Sequence, residues 1–156
     1  MKVIKTTVAV FLFCAVLLSA SCRSFNDKGV EPVAKEILDA LGGEYVNGES
    51  AVELPNVSLT YAAFIRENAD QVPDRVSIYR ADDNDGADKV ERACLDYLAV
   101  IQDGDNINFV GSYDLKSAEK LKSAEVFRIR NYIVVCVSDA KTVGLVKSTF
   151  EKALYE

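Results

Sequence analysis

The chain has 156 residues, with 18 Lys and Arg against 24 Asp and Glu, a net charge of −6, and neither His nor Trp. The acidic balance argues against nucleic acid and against direct adhesion to anionic lipid headgroups. Without His there is no Ser-His-Asp or Cys-His catalysis and no His-bearing zinc site.

Lys2 and Lys5 precede an apolar, charge-free run over 8–18. Ser19, Ala20 and Ser21 close that run, and Cys22 follows. A positive start, an apolar middle and small closing residues make a secretory signal. The run is short of the roughly 20 residues that span a bilayer, so residues 1–21 are expected to be removed. The stretch Leu18-Ser19-Ala20-Ser21-Cys22 resembles a bacterial lipobox. That resemblance implies a diacylglyceryl group on the Cys22 thiol and cleavage just before it. Leu18 stands one place further back than the commonest pattern. Plain secretion and an uncleaved anchor are the alternatives. Loss of Lys2 and Lys5 takes the net charge to −8.

Residues 22–30 are polar and read as a tether, and residues 31–156 read as a single domain, long enough for a core. Pro32 suits a first helical turn; Val33, Ile37, Leu38 and Leu41 share a face, and Gly42-Gly43 end a helix over 31–41. Residues 50–54 suggest a short strand. Tyr61, Phe64 and Ile65 share a helical face, so the pattern predicts a helix over 60–69. Val76 and Ile78 alternate with Ser77 and Tyr79, which predicts a half-buried strand over 75–80.

An acidic turn follows from Asp82 to Gly86. Val90, Cys94, Tyr97, Leu98 and Ile101 then mark a helix over 87–102. Asp114 can cap a short helix over 115–122. Residues 125–130 alternate, Asn131 suits a left-handed turn, and 132–137 is apolar enough to be covered on both faces. Ser138 or Asp139 caps a last helix carrying Val143, Val146, Phe150 and Leu154. The expected fold is α+β: a small, mostly antiparallel sheet, strand 75–80 plus hairpin 125–137, packed by helices in two layers.

Of four cysteines, Cys14 lies in the leader and Cys22 is the lipid acceptor. Cys94 and Cys136 can form one bridge or none. A helix and a sheet pack about 10 Å apart, which favours free, buried thiols.

Three stretches carry a family resemblance: 75–81 (RVSIYRA), 87–98, and 123–139 with its YIVVCVSD run. They look like small Gram-positive, clostridial-type lipoproteins known only as a domain of unknown function. The resemblance implies a cell-surface lipoprotein domain, and no site residue carries over from it.

No constellation of residues demands a reaction. With Gly86 at position 6 of a calcium loop, Ala81 and Arg92 would fall at positions 1 and 12, where neither can ligate. The turn reads as solvated carboxylates at a helix N-terminus. Asp103 with Asp105, and Glu91 with Asp96, have nothing to set one protonated and the other ionised. Ser117 and Ser123 neighbour Lys120, but a Ser–Lys dyad needs a buried lysine of lowered pKa. Tyrosines could line a groove or fill the core.

The expectation is therefore a non-catalytic binding or scaffold lipoprotein on the outer face of the bacterial cytoplasmic membrane. It needs no cofactor or metal, is held by the lipid on Cys22, and has a protein partner at the cell surface. A small-ligand or cation-binding module serving transport or sensing is the alternative. A surface hydrolase is the third reading.

Overall fold

The computed structural model describes residues 24–103 and 114–155. Cys22, Asp105 and Tyr113 lie outside the described residues. The elements are α1 (Val30–Leu41), β1 (Val46–Asn47), β2 (Leu59–Arg66), β3 (Asp74–Ala81), α2 (Asn84–Gln102), α3 (Leu115–Ser123), β4 (Glu125–Ile129), β5 (Tyr132–Val137) and α4 (Ala140–Leu154). The strands form one antiparallel sheet in the order β1-β2-β3-β5-β4.

The two central strands explain the layering. In β5, Tyr132, Val134 and Cys136 face one way, and Ile133, Val135 and Val137 the other; all six are buried. In β3, Val76 and Ile78 join the first set, while Tyr79 and Ala81 join the second. Such strands need cover on both faces. Helices α1 and α4 supply it on the first face, through Ile37, Val146 and Phe150. Helix α2 supplies it on the second, through Val90, Cys94 and Leu98, with Leu121 of α3 beside it. The α+β class, the antiparallel sheet and the 125–137 hairpin are as the sequence predicts. The expected two layers become three, helices–sheet–helices, because strand 75–80 is covered on both sides rather than half-buried.

Residues 60–69 are strand for most of their length, not helix. Leu59–Arg66 pairs residue by residue with β3, from Leu59↔Ala81 to Arg66↔Asp74. Tyr61, Phe64 and Ile65 fit a helical spacing, but Thr60, Tyr61, Phe64 and Ile65 are also strand formers. A helix here would strip β3 of eight cross-strand partners. The short strand expected at 50–54 lies earlier, at Val46–Asn47. The left-handed residue of the hairpin turn is Arg130 (φ 52°), not Asn131. Asn131 instead donates its side-chain amide to Ala81 O at 2.7 Å, while its own carbonyl accepts Ala81 N–H at 3.0 Å.

The capping expectations hold where the side chains reach. Asp114 accepts from Ser117 N–H at 2.9 Å, and Asp139 from Lys141 and Thr142 N–H at 3.0 Å. Gly42 ends α1 in the left-handed conformation (φ 58°), with its N–H on Leu38 O. The polar stretch read as a tether is laid onto the domain from Phe25 onward. Asn26 N–H donates to Leu154 O at 2.9 Å, and Gly29 N–H to Tyr132 Oη at 2.8 Å.

Candidate functional site

The densest polar cluster lies where the β2–β3 connection meets the starts of α3 and α4. Asp74 opens β3 and is only 1% exposed. Arg66, opposite it on β2, donates Nε and Nη2 to Oδ2 at 2.9 and 2.5 Å. Ser138 Oγ donates to Oδ1 at 2.9 Å. Lys120 Nζ lies 3.1 Å from the same oxygen and 2.7 Å from Asp70, and donates to Val72 O at 3.2 Å. Ser117, also buried, accepts Val72 N–H at 3.0 Å and donates to Asp114 at 2.9 Å.

Lys120 is 5% exposed and Ser117 is buried, so both of these neighbours on α3 lie inside the fold. Burial alone would lower the Lys120 pKa. Hydrogen bonds to Asp70 and Asp74 outweigh it and hold that pKa above its usual range. Burial alone would raise Asp74, but Arg66, Lys120 and Ser138 together hold it below the carboxylate range. A lysine kept protonated by two carboxylates and a carbonyl is a poor general base. The cluster's polar groups are paired with one another. It fastens the 67–73 connection to α3 and the sheet. Sequence reasoning missed it, although Ser117, Lys120 and Leu121 share one face of α3 at spacings of three and four, which marks a lysine on an apolar stripe.

Of the other pairs weighed from sequence, Asp103 with Asp105 lies partly outside the described residues, and Glu91 is engaged elsewhere than with Asp96. Asp96 and Asp103 are exposed. Glu91 is 2.6 Å from Arg128, which also holds Asp88 at 2.7 Å. In the acidic turn Asp83 caps α2 by accepting Gly86 N–H at 2.7 Å, and Asp82 accepts from Ser58 Oγ at 2.5 Å. Among the described residues, no three carboxylate or thiol groups gather where they could hold a metal ion.

An open surface lies at the β2 edge. Strand β1 pairs only with Phe64 and Ile65, and Gly48 N–H donates to Ala63 O at 2.8 Å. Ala63 therefore turns its backbone groups away from β3. Alternation along an antiparallel strand gives Tyr61 and Leu59 the same outward aim. Among the described residues, no strand pairs with 59–62 on that side. Beside this edge runs a groove of about 660 Å³ between α1 and β2. Ala34, Leu38, Ala62 and Phe64 give it apolar walls, and Glu31, Lys35 and Asp39 lie along its helix side. Tyr61, 47% exposed, stands at its rim. Of the tyrosines, Tyr79 and Tyr132 fill the core, and Tyr61 stands at the edge with its ring 6.1 Å from that of Tyr79.

Cys94 and Cys136 are free and buried on opposite faces of the sheet. Burial pushes both thiols up to about 12. The folded domain, with Cys22 replaced, should show no fast-reacting thiol at neutral pH and two after unfolding without reductant. Fewer than two in the unfolded chain would show a bridge.

Among the described residues, no helix is long and apolar enough to cross a membrane. No family model, curated protein or solved structure matches the chain.

Proposed function

We propose that the chain is a membrane-anchored extracytoplasmic lipoprotein whose domain is a non-catalytic binding module, and that it takes an extended polypeptide along β2. The observation that carries the binding reading is the unpaired edge at 59–62 beside an apolar groove. A row of outward N–H and C=O groups matches another strand, and alternate side chains of that strand would drop between α1 and β2. The paired state of Lys120 and Asp74 supports a structural rather than catalytic use of the one buried polar cluster described. The leader, Cys22 and the likeness to small Gram-positive lipoproteins support the anchor and a partner at the cell surface. The small-ligand alternative has weaker support, since Asp39 in the groove is already held by Lys35 at 2.8 Å.

The binding reading is tested with a hexapeptide mixture bearing small apolar residues at alternate positions, followed by amide shifts. Shifts are expected at Leu59, Tyr61 and Ala63 and on α1 at Ala34 and Leu38. With Tyr61→Ala, which loses the ring beside Tyr79 but keeps the N–H, as the control that should keep the shifts, Tyr61→Pro also removes the outward N–H, which an edge strand tolerates. The proline variant should melt within a few degrees of wild type and lose the shifts. Shifts mapping elsewhere, or persisting in Tyr61→Pro, would contradict the reading.

The anchor is tested by Cys22→Ala in a Gram-positive host. The variant should shift from the membrane fraction to the medium. Unchanged membrane retention would contradict lipidation, because the diacyl group is the anchor invoked.

A further inference from the structure

We infer that the domain stands end-on on the bilayer, with the Phe25–Arg130–Tyr155 end seated among the lipid headgroups, rather than swinging on a tether. The inference rests on the lipid-anchor reading of Cys22 and adds an orientation to it.

The chain is fixed to the domain within a few residues of Cys22. Phe25 packs edge-on against Tyr132 and Tyr155, with ring centroids 6.3 and 6.1 Å apart. The Arg130 guanidinium lies over the Phe25 ring at 4.2 Å. Asp27 takes two bonds from Arg80, at 3.0 and 2.6 Å, and a third from the Tyr132 hydroxyl. From Phe25 onward the segment is part of the domain.

Only Arg23 and Ser24 stand between Cys22 and Phe25. Three residue steps reach at most about 11 Å. A diacylglyceryl sulfur sits at the glycerol level of the bilayer, and the headgroup layer is roughly 5–8 Å deep. The end of the domain that carries Phe25 therefore cannot clear the headgroups by more than a few ångströms.

The chemistry of that end suits the position. Phe25 and Tyr155 are aromatic, and Arg130 is an exposed cation at the hairpin apex with no carboxylate partner among the described residues. Aromatic rings and arginine favour the headgroup level. The acidic turn at Asp82, Asp83 and Asp85 belongs to the α2 side of the same end. Anionic headgroups would repel it, so the domain should lean onto the side of α1 and α4. The lipid supplies the attachment, and these groups select the face. In this pose β2 stands along the membrane normal, with its open edge facing sideways.

The test couples the chain from Cys22 onward, through that thiol, to a maleimide lipid in phosphatidylglycerol vesicles containing lipid brominated near the headgroup. Cys94 and Cys136 are buried and do not compete. A fluorophore is placed through an unnatural residue at Glu151, in the last turn of α4, or at Ala69, at the opposite end of the sheet. Quenching is expected at 151 and not at 69. Phe25→Ala with Asp27→Ala releases the segment and should bring the two positions level. Equal quenching at 151 and 69 in the unsubstituted chain, or no change on release, would overturn the seating. Coupling supplies the anchor artificially, so this result is independent of whether a cell lipidates Cys22; the Cys22→Ala fractionation decides that separately.

Discussion

Val135→Asp should abolish the cooperative unfolding of the domain. Val135 sits in the second strand of the hairpin, paired with Ser77 on β3 and with Val126 on β4. It is buried on the α2 side among Ile133, Val137 and Tyr79. The side chains of that cluster are apolar. An unpaired charge in such a place costs several kcal/mol or must bind a proton. The whole stability of a domain this size is about 5–15 kcal/mol. Val126→Asp, on the edge strand β4 at a half-buried position, should be much milder. A circular-dichroism melt decides it. A Val135→Asp midpoint within a few degrees of wild type would show that the hairpin is not the centre of the core.

Asp74→Ala should destabilise the domain by about 3–5 kcal/mol, the cost of breaking a buried ion pair from one side. Lys120 would keep Asp70, but Ser138 and Arg66 would lose their acceptor. The same variant should change the response to acid. Asp74 has a lowered folded pKa, so its contribution is fully present above the unfolded value of about 3.9. It is lost as pH falls through the folded value. Asp27, drawn down to about 2 first by the Arg80 hydrogen bonds and then by Tyr132, acts in the same sense. The wild-type domain should therefore lose stability between about pH 4 and pH 2. Asp74→Ala should lose less over that window. Urea midpoints at pH 7, 4, 3 and 2 measure both effects; parallel acid profiles for the two proteins would remove Asp74 from the account.

The elements readable in sequence are those set by local chemistry. Asp114 and Asp139 cap as side-chain rules demand, and Gly42 closes α1 in the left-handed region. The apolar run at 132–137 is covered on both faces as its composition predicts. Strand β2 was not readable, because Tyr61, Phe64 and Ile65 satisfy helical spacing and the need of β3 for a partner is non-local. The hairpin turn misleads for a related reason. Asn131 has the better left-handed propensity, but its amide is held by Ala81, and Arg130 takes the positive φ. The Asp74–Lys120 cluster joins groups far apart in the chain, so its pairing leaves no local trace; only the place of Lys120 beside Ser117 and Leu121 on one face of α3 hints at its burial. The groove needed β2 to be a strand before it could be seen at all. The free thiols were legible in part: packing distance argued against a bridge, and the opposite faces of the sheet supply the reason.

The proposal that the chain is lipid-anchored is tested most directly by the intact mass of the protein extracted from membranes of a Gram-positive host. The account predicts a chain beginning at Cys22 and carrying a diacylglyceryl group on it. A chain that keeps residues 1–21, or one that starts elsewhere with no lipid mass, would contradict it.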